Sequence, residues 1–128
     1  MLYLDSSAVL KLLVDENESM ALEGYLEGKF DMVTSALAVT EVIIGVRRHG
    51  AMPLKEAYAV FETIDLIEIE DAILRSAGTV GLPTLGTLDA IHIATALTLG
   101  DELDALVTYD RRMQEAATAL GIEFAAPA

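Results

Sequence analysis

Short apolar segments alternate along this chain with longer segments of helical periodicity, and this alternation restricts the possible folds most. Segments that suit β-strands are predicted at residues 2–4, 31–34, 66–69, 105–108 and 122–125. Between them, apolar residues recur at the spacing of one helix face. We therefore predict an α/β fold, in which helices cover both faces of a mostly parallel sheet of about five strands.

The helices are predicted from apolar spacing and from residues that favour helix ends. We expect them from Ser6 or Ser7 to about residue 13, and at residues 20–26, 36–48, 53–64, 70–80, 88–99 and 111–120. Ser6 or Ser7, Ser35 and Thr87 are the expected caps of three helices. The segment 78–86 holds three glycines and Pro83, and we predict that it is mainly a loop.

The length and the order of these segments favour one domain over residues 1–128. There is no internal repeat and no linker-like segment. No apolar stretch is long enough to span a membrane, and the first residues lack the pattern of a signal peptide. We therefore expect a cytoplasmic protein with no membrane association.

Residue composition limits the metals that the chain could bind. It contains no cysteine and only two histidines, His49 and His92, which excludes disulfides and disfavours a structural zinc site. Any metal would be held by oxygen atoms. This donor type favours Mg²⁺ or Mn²⁺.

The net charge of −13, from 21 acidic and 8 basic residues, limits the possible partners. It argues against a broad basic surface for nucleic acid, because phosphates would be repelled at long range. It suits a basic partner protein or a site that concentrates divalent cations. Composition leaves both of these open.

Four acidic residues stand out by their positions. Asp5 directly follows the first predicted strand and Asp110 lies just past the fourth, where polar chemistry gathers in parallel α/β folds. Glu41 and Asp89 each lie in an otherwise uncharged apolar helix. Buried carboxylates are costly unless they are paired or bound to metal, and four that converge would repel one another. A divalent cation resolves that conflict and would allow hydrolysis of a phosphodiester.

Two hydroxyl side chains and one histidine accompany these acids. Ser7 and Thr108 could orient metal ligands or a water molecule, or could act only as caps. His92 follows Asp89 by three residues, and we favour a packing role for it over that of a catalytic base. Helix capping is also the simplest alternative role for Asp5, Asp89 and Asp110, and a solvated surface position is the alternative for Glu41.

Four segments of the chain, taken together, resemble the four acidic motifs of PIN-domain proteins. They are LDSSAVL at 4–10, SALAVTEV at 35–42, LDAIHIATA at 88–96 and VTYDRRM at 107–113. The resemblance extends in order to the closing segment 121–127, and it is strongest to the VapC-type toxins of prokaryotic toxin–antitoxin pairs. Asp5, Glu41, Asp89 and Asp110 match the family's acidic positions.

This resemblance implies a structure, an activity and partners. The fold would be a three-layer α/β/α sandwich, and the activity a Mg²⁺- or Mn²⁺-dependent endoribonuclease with the four acids as catalytic and metal-binding residues. The family also implies a homodimer and a small antitoxin, whose basic segment covers the groove and often places an arginine among the carboxylates.

The chain departs from the family in its basic residues. Many relatives carry a basic residue just before the third motif, where this chain has Gly86. Five of the eight cations nevertheless lie near the motifs in sequence and could line a path for RNA to the metal: Lys11, Arg47, Arg48, Arg111 and Arg112.

The sequence offers three alternatives to nuclease activity. A haloacid-dehalogenase-like phosphatase needs Asp-x-Asp after the first strand, where this chain has Asp5-Ser6-Ser7. A response-regulator receiver needs an acidic pair and a late lysine that are not placed here. The remaining alternative is a catalytically silent PIN-like scaffold that binds RNA or protein.

Overall fold

Five parallel strands form one central sheet in the computed structural model, which describes residues 1–50 and 54–128. The strands lie in the order β3-β2-β1-β4-β5, and every neighbouring pair is parallel. They are β1 Leu2–Leu4, β2 Met32–Ser35, β3 Asp65–Ile67, β4 Ala105–Val107 and β5 Phe124–Ala125. The predicted α/β class and parallel sheet are confirmed.

Seven α-helices and one turn of 3₁₀-helix connect the strands in the described part of the chain. The helices are α1 Ser6–Lys11, α2 Ser19–Leu26, α3 Leu37–Arg48, α4 Leu54–Phe61, α5 Asp71–Val80, α6 Thr87–Leu97 and α7 Arg111–Ala119, and the 3₁₀ turn is Gly100–Glu102. Each predicted helix has a counterpart with shifted ends. The predicted first turn at Pro53 lies outside the described residues.

The caps of α1 and α6 and the extent of α5 differ from the predicted ones. Asp5, and not a serine, caps α1, because its carboxylate accepts from the Ala8 amide. Gly86 occupies the cap position of α6, so Thr87 is already helical. Helix α5 continues to Val80 through part of the segment predicted as a loop.

Alternating side chains of the central strands build a core on each face of the sheet. On β1, Leu2 and Leu4 join a cluster with α1, α2 and α3, whereas Tyr3 points into a second cluster with α6 and α7. Leu106 of β4 belongs to the second cluster and Val107 to the first. All three residues of β1 are buried, as expected for a strand covered on both faces. The fold is therefore a three-layer α/β/α sandwich.

The strand order places a crevice at the carboxyl ends of β1 and β4. From β1 the chain extends the sheet to β2 and β3, and it then returns to the other side of β1 for β4 and β5. Such a reversal is the usual location of binding sites in open α/β sheets. Leu4 pairs with Val107 across this boundary, so the residues that follow them lie side by side.

In the described part of the chain, none of the helices has the length and apolar character needed to cross a bilayer.

Candidate active site

The four predicted acids lie around one small cavity at the carboxyl ends of β1 and β4. The cavity has a volume of about 180 Å³. Its lining consists of Asp5, Ser6, Ser7, Glu41, Asp89, His92 and Asp110. The acids come from the end of β1, from α3, from the first turn of α6 and from the cap of α7. Tertiary folding thus brings together residues that are far apart in sequence.

Asp5 is the most buried of the four, with 4% of its surface exposed. Its Oδ1 accepts hydrogen bonds from the Ser7 hydroxyl at 2.6 Å and from the Ala8 amide at 3.1 Å. Its Oδ2 accepts from the Thr108 hydroxyl. Burial raises the pKa of Asp5 above its usual value, although the bonds from Ser7 and Thr108 oppose that shift. Ser7 and Thr108 therefore contact the site by holding Asp5.

Asp89 is half-buried and accepts no hydrogen bond from any residue in the described ranges. Burial raises the pKa of its carboxyl group, and the negative charges of Asp110 and Asp5 raise it further. The carboxylate of Asp89 is therefore held in an electrostatically unfavourable position, where a bound cation would stabilise it.

Asp110 combines a capping role with a position at the cavity. Its Oδ1 accepts from the amides of Arg112 at 2.8 Å and Met113 at 3.3 Å at the start of α7. Its Oδ2 makes no hydrogen bond to the described residues. Capping and cation binding therefore do not compete for the same oxygen atom.

Glu41 accepts hydrogen bonds from two side chains, and the sequence predicts neither contact. Its Oε1 accepts from the Ser6 hydroxyl and lies 2.6 Å from Nε2 of His92. Burial would raise the pKa of Glu41, but the hydrogen bonds from His92 and Ser6 outweigh it, and the pKa lies below its usual value. Glu41 is consequently ionised at neutral pH.

Ser6 and His92 are the site residues that the sequence did not assign. The sequence predicts only a helix-capping role for Ser6, and it favours a packing role for His92. His92 is buried in α6, and its ring contacts Glu41, which is 51 residues away in the sequence. The one available signal was the spacing of three residues from Asp89, which puts both side chains on one side of α6.

The predicted RNA-contacting cations occupy different environments. Lys11 is 8% exposed, and its Nζ lies 2.8 Å from Glu18 and 3.6 Å from Glu16. Its ammonium group also lies 4.7 Å from the centre of the Tyr109 ring. A buried ammonium group requires such partners, so Lys11 fastens the loop after α1, and its contact with RNA stays a prediction. Arg47, Arg48, Arg111 and Arg112 are exposed.

The donor set around the cavity suits a hard, hydrated cation. In residues 1–50 and 54–128, no group of three acidic or histidine side chains is arranged to hold a metal ion. Mg²⁺ commonly uses only one or two protein carboxylates and keeps several water molecules, so it needs no closed cage. The oxygen donors and the mutual repulsion felt by Asp89 fit such an ion.

Comparison with known proteins identifies the family. Residues 2–119 match the PIN domain. Ribonuclease VapC46 of Mycobacterium tuberculosis is 44% identical over 126 residues, which cover 98% of this chain and 97% of the relative. The chain therefore belongs to the PIN-domain family, and the predicted resemblance to VapC-type proteins is confirmed.

Solved structures share the fold at low sequence identity. VapC20 of Mycobacterium tuberculosis, a toxin that cleaves the sarcin–ricin loop, matches with a TM-score of 0.77 at 14% identity over 91% of this chain and 95% of its own. A toxin–antitoxin complex from Klebsiella pneumoniae matches with a TM-score of 0.76 at 17% identity over 100% of this chain and 98% of that one. These similarities confirm the PIN-like architecture.

Proposed function

We propose that this chain is an endoribonuclease that hydrolyses RNA phosphodiester bonds with Mg²⁺ or Mn²⁺ held by Asp5, Glu41, Asp89 and Asp110. The observation that carries the proposal is the meeting of these four acids around one cavity of about 180 Å³. Membership of the PIN-domain family and the name of the ribonuclease VapC46 support RNA as the substrate.

The chemistry of the site follows from its charges. A bound divalent cation would stabilise charge on the attacked phosphate and would lower the pKa of a water molecule. Asp5, Glu41, Asp89 and Asp110 would supply oxygen ligands, and Ser7 and Thr108 hold Asp5 in place. Glu41 has a lowered pKa, so it is ionised, and its Oε2 would be available to the cation or to a water molecule bound to it.

The test is cleavage of a mixed RNA panel with Mg²⁺, Mn²⁺ or a chelator, comparing the wild type with Asp5→Asn. We expect the substitution to slow cleavage at least about 100-fold, because it removes a charged ligand of the cation. Asp101→Asn, at an exposed position in the 3₁₀ turn, is the matched control and should cleave normally. Equal cleavage by the wild type and Asp5→Asn would refute the assigned site. Equal inertness with retained RNA binding would favour the silent scaffold.

The partner of this site is proposed to be a small antitoxin with a basic segment. The net charge of −13 and the acid-lined cavity favour a basic polypeptide at the groove. The Klebsiella pneumoniae structure, a toxin–antitoxin complex of the same fold, supports this kind of partner.

The exposed Arg48, Arg111 and Arg112 are the proposed contacts for the RNA backbone. Placement in the cytoplasm stays a prediction.

A homodimer is also proposed, and apolar side chains beside α5 support it. Leu74 is 49% exposed and Leu82 is 41% exposed, and both line an open cavity of about 590 Å³ between α5, α6 and the loop that joins them. We expect the solution mass to be twice the 13.7 kDa of one chain. Leu74→Arg should reduce it to the monomer value, because burial of a charge at such an interface is costly. A monomer at all concentrations would contradict the proposal.

A further inference from the structure

A chain of buried side chains connects the end of β2 to Glu41. The Ser35 amide donates to the Tyr3 hydroxyl at 3.2 Å, and that hydroxyl lies 2.7 Å from Nδ1 of His92. On the other side of the ring, Nε2 lies 2.6 Å from Oε1 of Glu41. Tyr3 is fully buried and His92 is 1% exposed. The connection therefore runs through the interior of the protein from the sheet to the cavity.

The two ends of this path fix the direction of its hydrogen bonds, because the Ser35 amide can only donate and the Glu41 carboxylate can only accept. The Tyr3 oxygen accepts from this amide, so its own proton is free to be donated to Nδ1 of His92. The ring proton then lies on Nε2 and is donated to Oε1 of Glu41, a carboxylate that can only accept. This arrangement gives each buried polar atom along the path a partner.

The two carboxylate oxygen atoms of Glu41 therefore differ in their contacts. Oε1 accepts from both His92 and Ser6. Oε2 makes no hydrogen bond to any residue in the described ranges. A glutamate on a helix has three rotatable side-chain bonds, and two donors on one oxygen restrict them. The unoccupied Oε2 is consequently kept available to the cavity that Glu41 lines.

We propose that Tyr3 and His92 are positioning residues that orient Glu41 for the reaction. The proposal rests on the proposed nuclease function. His92 acts through Glu41 and not on the substrate, because both ring nitrogens are engaged and the ring is almost inaccessible to water. Tyr3 in turn fixes the ring tautomer, in the way that partners of metal-ligating groups do.

Nitrogen NMR of the histidine side chains tests the arrangement without any activity measurement. At neutral pH, we expect His92 to carry its proton on Nε2 and to have an unprotonated Nδ1. In Tyr3→Phe, the Nδ1 signal should shift because its donor is lost. Tyr109→Phe is the matched control, since it deletes a phenol hydroxyl that donates to the Pro127 carbonyl. A ring protonated on Nδ1, or an unchanged Nδ1 signal in Tyr3→Phe, would overturn the assignment.

Variants of His92 separate positioning from packing. His92→Leu should lower kcat for RNA about 10- to 100-fold, the usual effect of losing a group that orients a ligand, and should leave KM nearly unchanged. His92→Gln keeps an N–H donor near the Nε2 position and should recover most of the loss. If the two variants lose kcat equally and their losses follow their melting temperatures, His92 only packs, and the proposal fails.

Binding of Mn²⁺ in the absence of RNA provides the remaining measurement. We expect His92→Leu to weaken Mn²⁺ binding about 10-fold by calorimetry, and His92→Gln to restore it. Unchanged Mn²⁺ affinity in His92→Leu would overturn the proposal that His92 positions Glu41. If the wild type cuts no RNA, the proposed function fails, whereas the NMR and Mn²⁺ results still decide whether Tyr3 and His92 position Glu41.

Discussion

Replacement of Asp89 by asparagine is expected to abolish RNA cleavage and, at the same time, to raise the melting temperature of the metal-free protein. Burial and the charges of Asp110 and Asp5 raise the pKa of Asp89, so its ionised form is destabilised at neutral pH. Asparagine has nearly the same shape and removes that repulsion. We expect a rise in Tm of a few degrees, together with at least about a 100-fold loss of cleavage.

The matched control for this variant is Asp71→Asn. Asp71 occupies the first turn of α5 as Asp89 occupies that of α6, and both face the positive end of a helix dipole. Asp71 is exposed and lies outside the cavity, so its replacement should lower Tm slightly and leave cleavage intact. A melting temperature that falls in both variants would show that repulsion among the carboxylates does not govern the stability of the site.

A divalent cation is expected to stabilise the protein strongly at neutral pH and weakly in acid. A cation at about 100 times its dissociation constant adds about 2.7 kcal/mol to the free energy of unfolding. Protons compete for the same carboxylates, so the added stability should shrink as the pH falls. Thermal melts with Mg²⁺ or Mn²⁺, against KCl at equal ionic strength, measure this effect. It should be much smaller in Asp5→Asn, and an equal rise in that variant would place the cation elsewhere.

Without the cation, the pH dependence should have the opposite sign. The raised pKa values of Asp5 and Asp89 mean that the folded protein holds protons more tightly than the unfolded chain. Their contribution to stability is complete below the ordinary carboxylate pKa, and it is lost as the pH rises through the folded pKa values. The metal-free protein should therefore become more stable on mild acidification. Below that range, Glu18 and Glu41 reverse the trend, because their pKa values are lowered.

The site residues that depend on local sequence pattern could be predicted from the sequence. Asp5 and Asp110 follow strands, and parallel strands in this order must place such positions at one edge of the sheet. Glu41 and Asp89 were detectable because charges in apolar segments need an explanation. The alternation of strand and helix similarly predicted the three layers, although the strands proved shorter than expected at several ends.

Contacts between distant segments could not be predicted in the same way. His92 and Glu41 are 51 residues apart, and no periodicity links them. Lys11 lies near the first motif in sequence, but its ion pair with Glu18 and its contact with the ring of Tyr109 set its position in the fold. Asp5, and not Ser6 or Ser7, caps α1, because β1 ends directly before this helix begins.

The size of the acid-lined cavity has a consequence for how RNA would be selected. A volume of about 180 Å³ corresponds to roughly six water molecules at about 30 Å³ each. A scissile phosphate and a partly hydrated ion would fill such a space, and the flanking nucleotides would then lie outside it. Discrimination between one transcript and another would then be encoded around the mouth of the cavity, so two proteins with the same carboxylates can cut different sequences.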